Sequence, residues 1–328
     1  MIWGSSADSL FINLVGLLQT FAAKDIMAKK FRPRRFGQYI ISDILESQGG
    51  MATIYLAYVA EHPMRKVIIK AQKKGGEYRD LVYAETNALR QLHHPGIVQI
   101  YPILGFDKPT YIARSNHAAP WYYIMEYIPN GNLEAHRTLI KNYPIEWKLE
   151  LFYQLVTVVH YMHLVGYGHC DLKPSNIMFR QPLYIDSRPE PVLIDFGSIS
   201  ARDQVVEKIG TPRYTPPEMF LAMQKSADLS AHNGIRADKI DIWQLGVIFF
   251  ELLTGEYMFQ GTSLEVETTI LKHELKRIQE YAKLDNLRLD YFLQAMLNPI
   301  PHKRPRARDI LEILQESMPE YQPPRVAS

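Results

Sequence analysis

Cysteine occurs once in 328 residues, at Cys170. A single thiol allows no internal disulfide, which fits a reducing compartment such as the cytoplasm. A dominant charge is also lacking: 37 Lys and Arg stand against 35 Asp and Glu, a net of +2. That balance gives no field to gather nucleic acid. The basic cluster at 29–35 is short and has no interleaved aromatics beyond Phe31 and Phe36, so no nucleic-acid partner is expected. The uncharged run SLFINLVGLLQTFAA (9–23) is interrupted by Asn13 and Gln19, and is shorter than the roughly 20 residues of a spanning helix. It also lacks the preceding positive charge of a secretory signal. Basic residues follow it instead: Lys24, Lys29, Lys30, Arg32, Arg34 and Arg35. Two readings stay open for residues 9–35: a helix docked on the domain or a partner, or a contact with the membrane's cytoplasmic face.

What is present describes a globular chain. Hydrophobic residues make up 47% and charged residues 22%, enough for a sizeable core. The length suits one large domain or two lobes. YIISDIL (39–45) and TIYLAYV (53–59) flank a Gly-Gly turn and read as a hairpin. RKVIIKAQ (65–72) and WYYIMEY (121–127) read as further strands. Between them, 77–92 has helical spacing, with Leu81, Ala84, Ala88, Leu89 and Leu92 on one side. After Gly131 the pattern becomes helical, with a long periodic helix at 147–164 and a segment at 240–253 apolar nearly all round. YFLQAMLN and RARDILEILQES are expected as closing helices, 107–120, 181–190 and 221–237 as loose insertions, and 322–328 as a tail. The fold expected is α+β: a small antiparallel sheet with one main helix, then a larger, mainly helical part.

Three short stretches carry chemistry. HCDLKPSN (169–176) holds Asp171, Lys173 and Asn176 on one loop. An Asp can accept or orient a hydroxyl proton, an Asn oxygen can ligate a hard cation such as Mg²⁺, and a Lys can reach a phosphoryl group. Asp and Asn also cap turns for purely structural reasons. In IDFG (194–197), Asp195 stands at a strand end before a Gly. With Asn176 it would make an oxygen-rich site, although a plain strand-ending turn is the commoner fate of such a tripeptide. Lys70 ends the apolar run VIIK, where an ammonium needs a partner; Glu85 is the candidate. The competing picture is an edge Lys snorkelling to water and a Glu on a solvated face.

The ordered motifs SQGGMATIY, VIIK, Glu85, MEYIPNG, HCDLKPSN, DFG, GTPRYTPPE, DIWQLG and KRPRA resemble the serine/threonine protein kinases over residues 38–316. GGMA is similar to the bacterial, eukaryotic-like branch. The resemblance implies an extension at 1–36, an N-lobe at 37–127, a C-lobe at 128–316 and a tail at 317–328. It implies ATP and Mg²⁺ as cofactors and a protein substrate with Ser or Thr. Lys70, fixed by Glu85, would bind the α- and β-phosphates. Asp171 would be the base, Lys173 would steady the γ-phosphoryl, and Asn176 and Asp195 would hold Mg²⁺. Adenine would meet backbone groups of Glu126 and Ile128, with Met125 behind, Ile54 above and Met178 below. Glu218 would pair with Arg304, and Asp241 would bond the loop backbone.

Two departures bear on this resemblance. The Gly-rich loop reads Ser47, Gly49 and Ala52 where the family has three glycines, with Gly50 keeping the turn open, so a weaker phosphate cradle is expected. Ile68 stands where the family usually has Ala and would crowd adenine. They support the alternative of a pseudokinase scaffold that binds nucleotide without transfer. A small-molecule phosphotransferase is a third reading, disfavoured by GTPRYTPPE and DIWQLG. Cys170 replaces the Arg that in many kinases orders a phosphorylated segment, and ARDQVVEKIG (201–210) has no hydroxyl residue. Activity is therefore expected not to need phosphorylation there.

Overall fold

The structure is a computed structural model, and it describes residues 35–46, 52–72, 79–114, 119–201, 211–224, 235–278 and 287–317. The N-terminal apolar and basic segment up to residue 34, the Gly-rich loop positions Ser47, Gly49 and Gly50, the segment 202–210 and the tail lie outside the described residues. In chain order the strands are β1 (Arg35–Phe36), β2 (Tyr39–Glu46), β3 (Ala52–Val59), β4 (His62–Gln72), β5 (Ile100–Tyr101), β6 (Tyr122–Glu126), β7 (Tyr167–Gly168), β8 (Ile177–Phe179), β9 (Pro191–Leu193) and β10 (Ser200–Ala201). The α-helices are α1 (Arg79–Leu89), α2 (Arg137–Lys141), α3 (Ile145–Val165), α4 (Pro217–Gln224), α5 (Ala237–Thr254), α6 (Ser263–Leu271), α7 (Leu287–Met296) and α8 (Ala307–Ser317).

These elements divide between two compact bodies. The first holds the described residues up to 72, together with 102–114 and 119–124; the second holds 79–101 and the described residues from 125 onward. In the first body β1 to β4 pair antiparallel in sequence order. Beside β4, Gln72 N–H donates to Trp121 O at 2.8 Å and brings in the start of β6. Register sorts the side chains by face, because alternate residues of a strand point to opposite sides. Ala57 and Val59 on β3, with Val67, Ile69 and Ala71 on β4, are buried. Ala52, Ile54 and Leu56 pair with Gln72, Lys70 and Ile68, so these six share the other face.

The second body is built round α5. Its apolar residues cover the whole circumference, which only a central helix can satisfy; Trp243, Phe249 and Phe250 are fully buried. Every polar group on such a helix needs a partner. Lys239 Nζ donates to Arg304 O at 2.6 Å, and Arg304 places its guanidinium on Glu218 at 2.7 and 2.6 Å. Helix α3 follows Pro144 and stops at Gly166, whose φ of 95° supplies the left-handed cap that a side chain would strain. It packs against α8 and α5. Helix α6 starts from a capping box, Thr262 with Glu265.

The hairpin 39–59, the long helix and the central helix stand where the sequence places them. Two expectations are corrected. Ala84 is exposed, and the buried face of α1 carries Glu85, Thr86, Ala88 and Leu89. Periodicity alone selects the apolar Ala84, but the face that is covered includes the carboxylate at position 85. The loose stretch expected at 221–237 is helical at its described ends, since α4 runs to Gln224 and α5 begins at Ala237. Phe220 and Ala222 are buried there, and that burial carries α4 past the point where the sequence pattern stops.

Candidate active site

The loop 169–176 follows α3 and β7 and is fixed from below by α5. Asp241, fully buried, accepts the backbone N–H of His169 at 2.9 Å and of Cys170 at 2.8 Å. Its Oδ2 also meets His163 Nε2 at 2.9 Å. Gln244 adds a second grip: its Oε1 accepts Leu172 N–H at 2.8 Å and its Nε2 donates to Cys170 O at 3.1 Å. The loop needs such restraint because Cys170 takes a φ of 62°, a left-handed conformation that a residue with a Cβ adopts at a cost of about 1–3 kcal/mol. The Asp241 contact is the one expected from sequence. Gln244 and His163 carry no local signal of this role in the sequence; only their helical placement, on α5 and near the end of α3, points to them.

Asp171 is 8% exposed. Its Oδ2 receives Lys173 Nζ at 2.8 Å and Asn176 Nδ2 at 3.2 Å. Its Oδ1 is buried and has no hydrogen-bond partner among the described residues. One oxygen of the carboxylate is thus gripped and the other is left able to accept a proton or a hydroxyl hydrogen. Burying an acceptor without a partner costs about 1–3 kcal/mol, so the arrangement is held by its surroundings.

Asn176 Nδ2 also donates to Asp171 O at 2.9 Å, which turns the amide oxygen away from Asp171. The Asn176 carbonyl accepts Ile194 N–H at 3.0 Å. That bond, with the antiparallel pairing of β8 and β9, brings the residue after Ile194 beside the end of the loop. The residue is Asp195, with a left-handed φ of 59°. Cys170 and Asp195, two of the three non-glycine residues with positive φ among the described residues, therefore flank this site. No group of three His, Cys, Asp or Glu side chains converges as a metal cage among the described residues. One carboxylate and one amide oxygen are hard donors of the kind that suit Mg²⁺ when phosphate oxygens complete its shell. The donor set fits Mg²⁺ with a nucleotide and would hold it through Asn176 and Asp195.

The remaining candidate residues fall in both bodies. Ala52, Ile54, Ile68 and Lys70 share one sheet face in the first, with Ile68 buried opposite Leu56. Lys70 Nζ lies 5.9 Å from the centroid of the Tyr123 ring. In the second, Glu85 is 4% exposed, so the solvated-face picture does not hold for it. Met125 and Ile128 are buried, while Glu126 and Met178 are half-buried. Cys170 does not obstruct the loop. It packs with Met219, Ala237 and Ile240. Burial pushes its thiol well above the ordinary range, and the nearby Asp241 and Asp171 charges push the same way.

A buried loop carboxylate held by a lysine and an asparagine is thus followed along the chain by a strand-end aspartate. Comparison with known proteins specifies the family. The protein kinase domain model matches residues 47–314, and the chain belongs to that family. It is 27% identical over 278 residues to CBL-interacting protein kinase 30 of Oryza sativa subsp. japonica, covering 82% of this chain and 52% of that one. Similarity to serine/threonine-protein kinase ULK3 of Xenopus laevis is 29% over 285 residues, 85% of this chain and 55% of the other. Calcium/calmodulin-dependent protein kinase type 1 of Macrobrachium nipponense is 32% identical over 224 residues, 66% and 57% of the two chains. The chain spans about half the length of the first two of these relatives.

Proposed function

We propose that this chain transfers the γ-phosphoryl group of ATP to Ser or Thr hydroxyls of protein substrates. The observation that carries the reading is the divided carboxylate of Asp171: Oδ2 is held by Lys173 and Asn176, and Oδ1 is buried without a partner among the described residues. A substrate hydroxyl needs such an oriented acceptor, and the ammonium of Lys173 stands where charge spreads over the moving phosphoryl group. Asn176 and Asp195 hold Mg²⁺, which when bound neutralises phosphate charge. Lys70 binds the α- and β-phosphates, with Glu85 the partner that the family resemblance implies; Glu85 is buried, as a paired carboxylate would be. Ala52, Ile54 and Ile68 cover adenine from the face they share with Lys70. Ser47, Gly49 and Gly50 cradle the phosphates in this reading, Met125 and Met178 bound the ring, and Glu126 and Ile128 bind its edge. The single buried cysteine is compatible with a cytoplasmic setting.

The test is phosphate incorporation into a protein substrate from Mg²⁺ and ATP, comparing the native chain with Asp171→Ala. Incorporation that the substitution removes supports the kinase. Thermal stabilisation by nucleotide without incorporation in the native chain supports the scaffold instead.

A further inference from the structure

The segment 127–131 after β6 has no strand or helix to set its backbone. Side-chain contacts hold its ends and several converge on Arg180, while the Gly131 carbonyl accepts Phe179 N–H at 3.2 Å. The guanidinium donates from Nε to Glu126 Oε1 at 2.9 Å and from Nη2 to Glu126 Oε2 at 2.7 Å. Its Nη1 donates to Pro95 O. The carbonyl of the same residue accepts Asn130 Nδ2 at 2.6 Å. Arg180 therefore grips Glu126, the last residue of β6, and Asn130, near the far end of the irregular stretch 127–131, and ties both to the loop before β5. Further bonds support each end. Glu126 N–H donates to Gln99 O at 2.8 Å, Gln99 N–H donates to Glu126 Oε2 at 3.3 Å, and His136 Nε2 meets Asn130 O at 2.7 Å. The ion pair is partly shielded, with side chains 25% and 17% exposed, and the fork geometry fits only a planar guanidinium.

We infer that Arg180 is a positioning residue for the nucleotide: by clamping Glu126 and Asn130 it pre-sets the backbone of 126–128 that receives the adenine edge. The inference rests on the kinase reading above. Adenine recognition through main-chain groups depends on their direction, which in an irregular segment is set only by what holds its ends. A clamped segment has already lost the freedom that binding would otherwise remove. An unclamped one lowers affinity in proportion to the fraction of time it spends competent.

The experiment measures binding of a non-hydrolysable ATP analogue with Mg²⁺ by calorimetry, and the KM for ATP, the KM for protein substrate and kcat. It uses the full chain, Arg180→Lys, Glu126→Gln and the double variant. Lys keeps the charge but cannot span Glu126 and Pro95 together. The expected result is a rise of about tenfold in analogue Kd and ATP KM in each single variant. For Arg180→Lys it includes kcat within about threefold and protein-substrate KM unchanged; the double variant shows no further loss in analogue Kd, since both changes break one clamp. Unchanged Kd in both single variants, or turnover that rises when the clamp is broken, overturns the inference. So does a fall in kcat and thermal stability without a selective nucleotide effect, which marks a purely structural pair. A native chain that does not bind the analogue overturns the kinase reading itself, and is told apart because it fails before any substitution is made.

Discussion

The carboxylate of Asp241 on α5 accepts the backbone N–H groups of both His169 and Cys170, and so holds the residue before Asp171 in its left-handed conformation. The loop 169–176 is thereby set by a helix some seventy positions later in the chain. Replacing Asp241 by Asn puts an amide donor where a second acceptor is needed. We expect a loss of about 2–4 kcal/mol in denaturant unfolding, with kcat reduced at least about tenfold because Asp171 loses its fixed position. A stability change within experimental error would show that the loop holds its shape without this contact.

Lys173 touches Asp171 Oδ2 at 2.8 Å and takes no part in the core. Lys173→Met should lower kcat by about a hundredfold with little change in the KM for ATP, because its charge acts chiefly as negative charge develops. Steady-state kinetics decide it; a rise in KM with kcat preserved would assign Lys173 to ground-state binding.

Arg304 has a fully buried side chain that spans Glu218, the carbonyls of Asn298 and Lys239, and the Trp243 ring at 5.1 Å. Arg304→Met leaves the Glu218 carboxylate without its partner and should destabilise by about 3–5 kcal/mol. The double variant with Glu218→Met should recover part of that loss, since no unpaired charge remains. Equal destabilisation in both would mean that the backbone carbonyls, not the ion pair, carry the effect.

The thiol of Cys170 is raised by burial and by neighbouring carboxylates, so the thiolate is disfavoured in the folded chain and the thiol stays protonated through the neutral range. Alkylation at about pH 8 should therefore be slow in the native protein and fast after unfolding, as mass spectrometry would record. Rapid labelling of folded protein would contradict the packing of Cys170 against Met219, Ala237 and Ile240.

That apolar packing also bears on control. A buried thiol among Met219, Ala237 and Ile240 cannot receive a phosphate in the way that the guanidinium found there in many kinases can. Phosphatase-treated protein is expected to keep its full rate of phosphate transfer. A rate that collapses on treatment and returns on rephosphorylation of Ser198 or Ser200 would refute this.

Local order was open to inspection in the residues themselves. Asp171, Lys173 and Asn176 lie within one loop, so their spacing sufficed to bring them together, whereas the pairing that puts Ala52 and Ile54 on the face of Lys70 came from the sheet register. The limits are equally specific. Ala84 looked like a core residue because an apolar side chain in helical register is indistinguishable from a buried one until the covering surface is known. Arg180 looked like any charge after a short strand; nothing near it in sequence marks Glu126, 54 positions earlier, as its partner.

The amino-acid sequence by itself determined the class of fold, the family and the candidate side chains for chemistry, because these depend on residue type at short spacing. Tertiary structure alone decided how those side chains are held: Asp241 and Gln244 beneath the loop, the Asn176–Ile194 bond that draws Asp195 near, and the Arg180 clamp. The reason is physical. A hydrogen bond fixes direction only when both partners are brought within about 3 Å, and for partners far apart along the chain that meeting exists only once the core has formed.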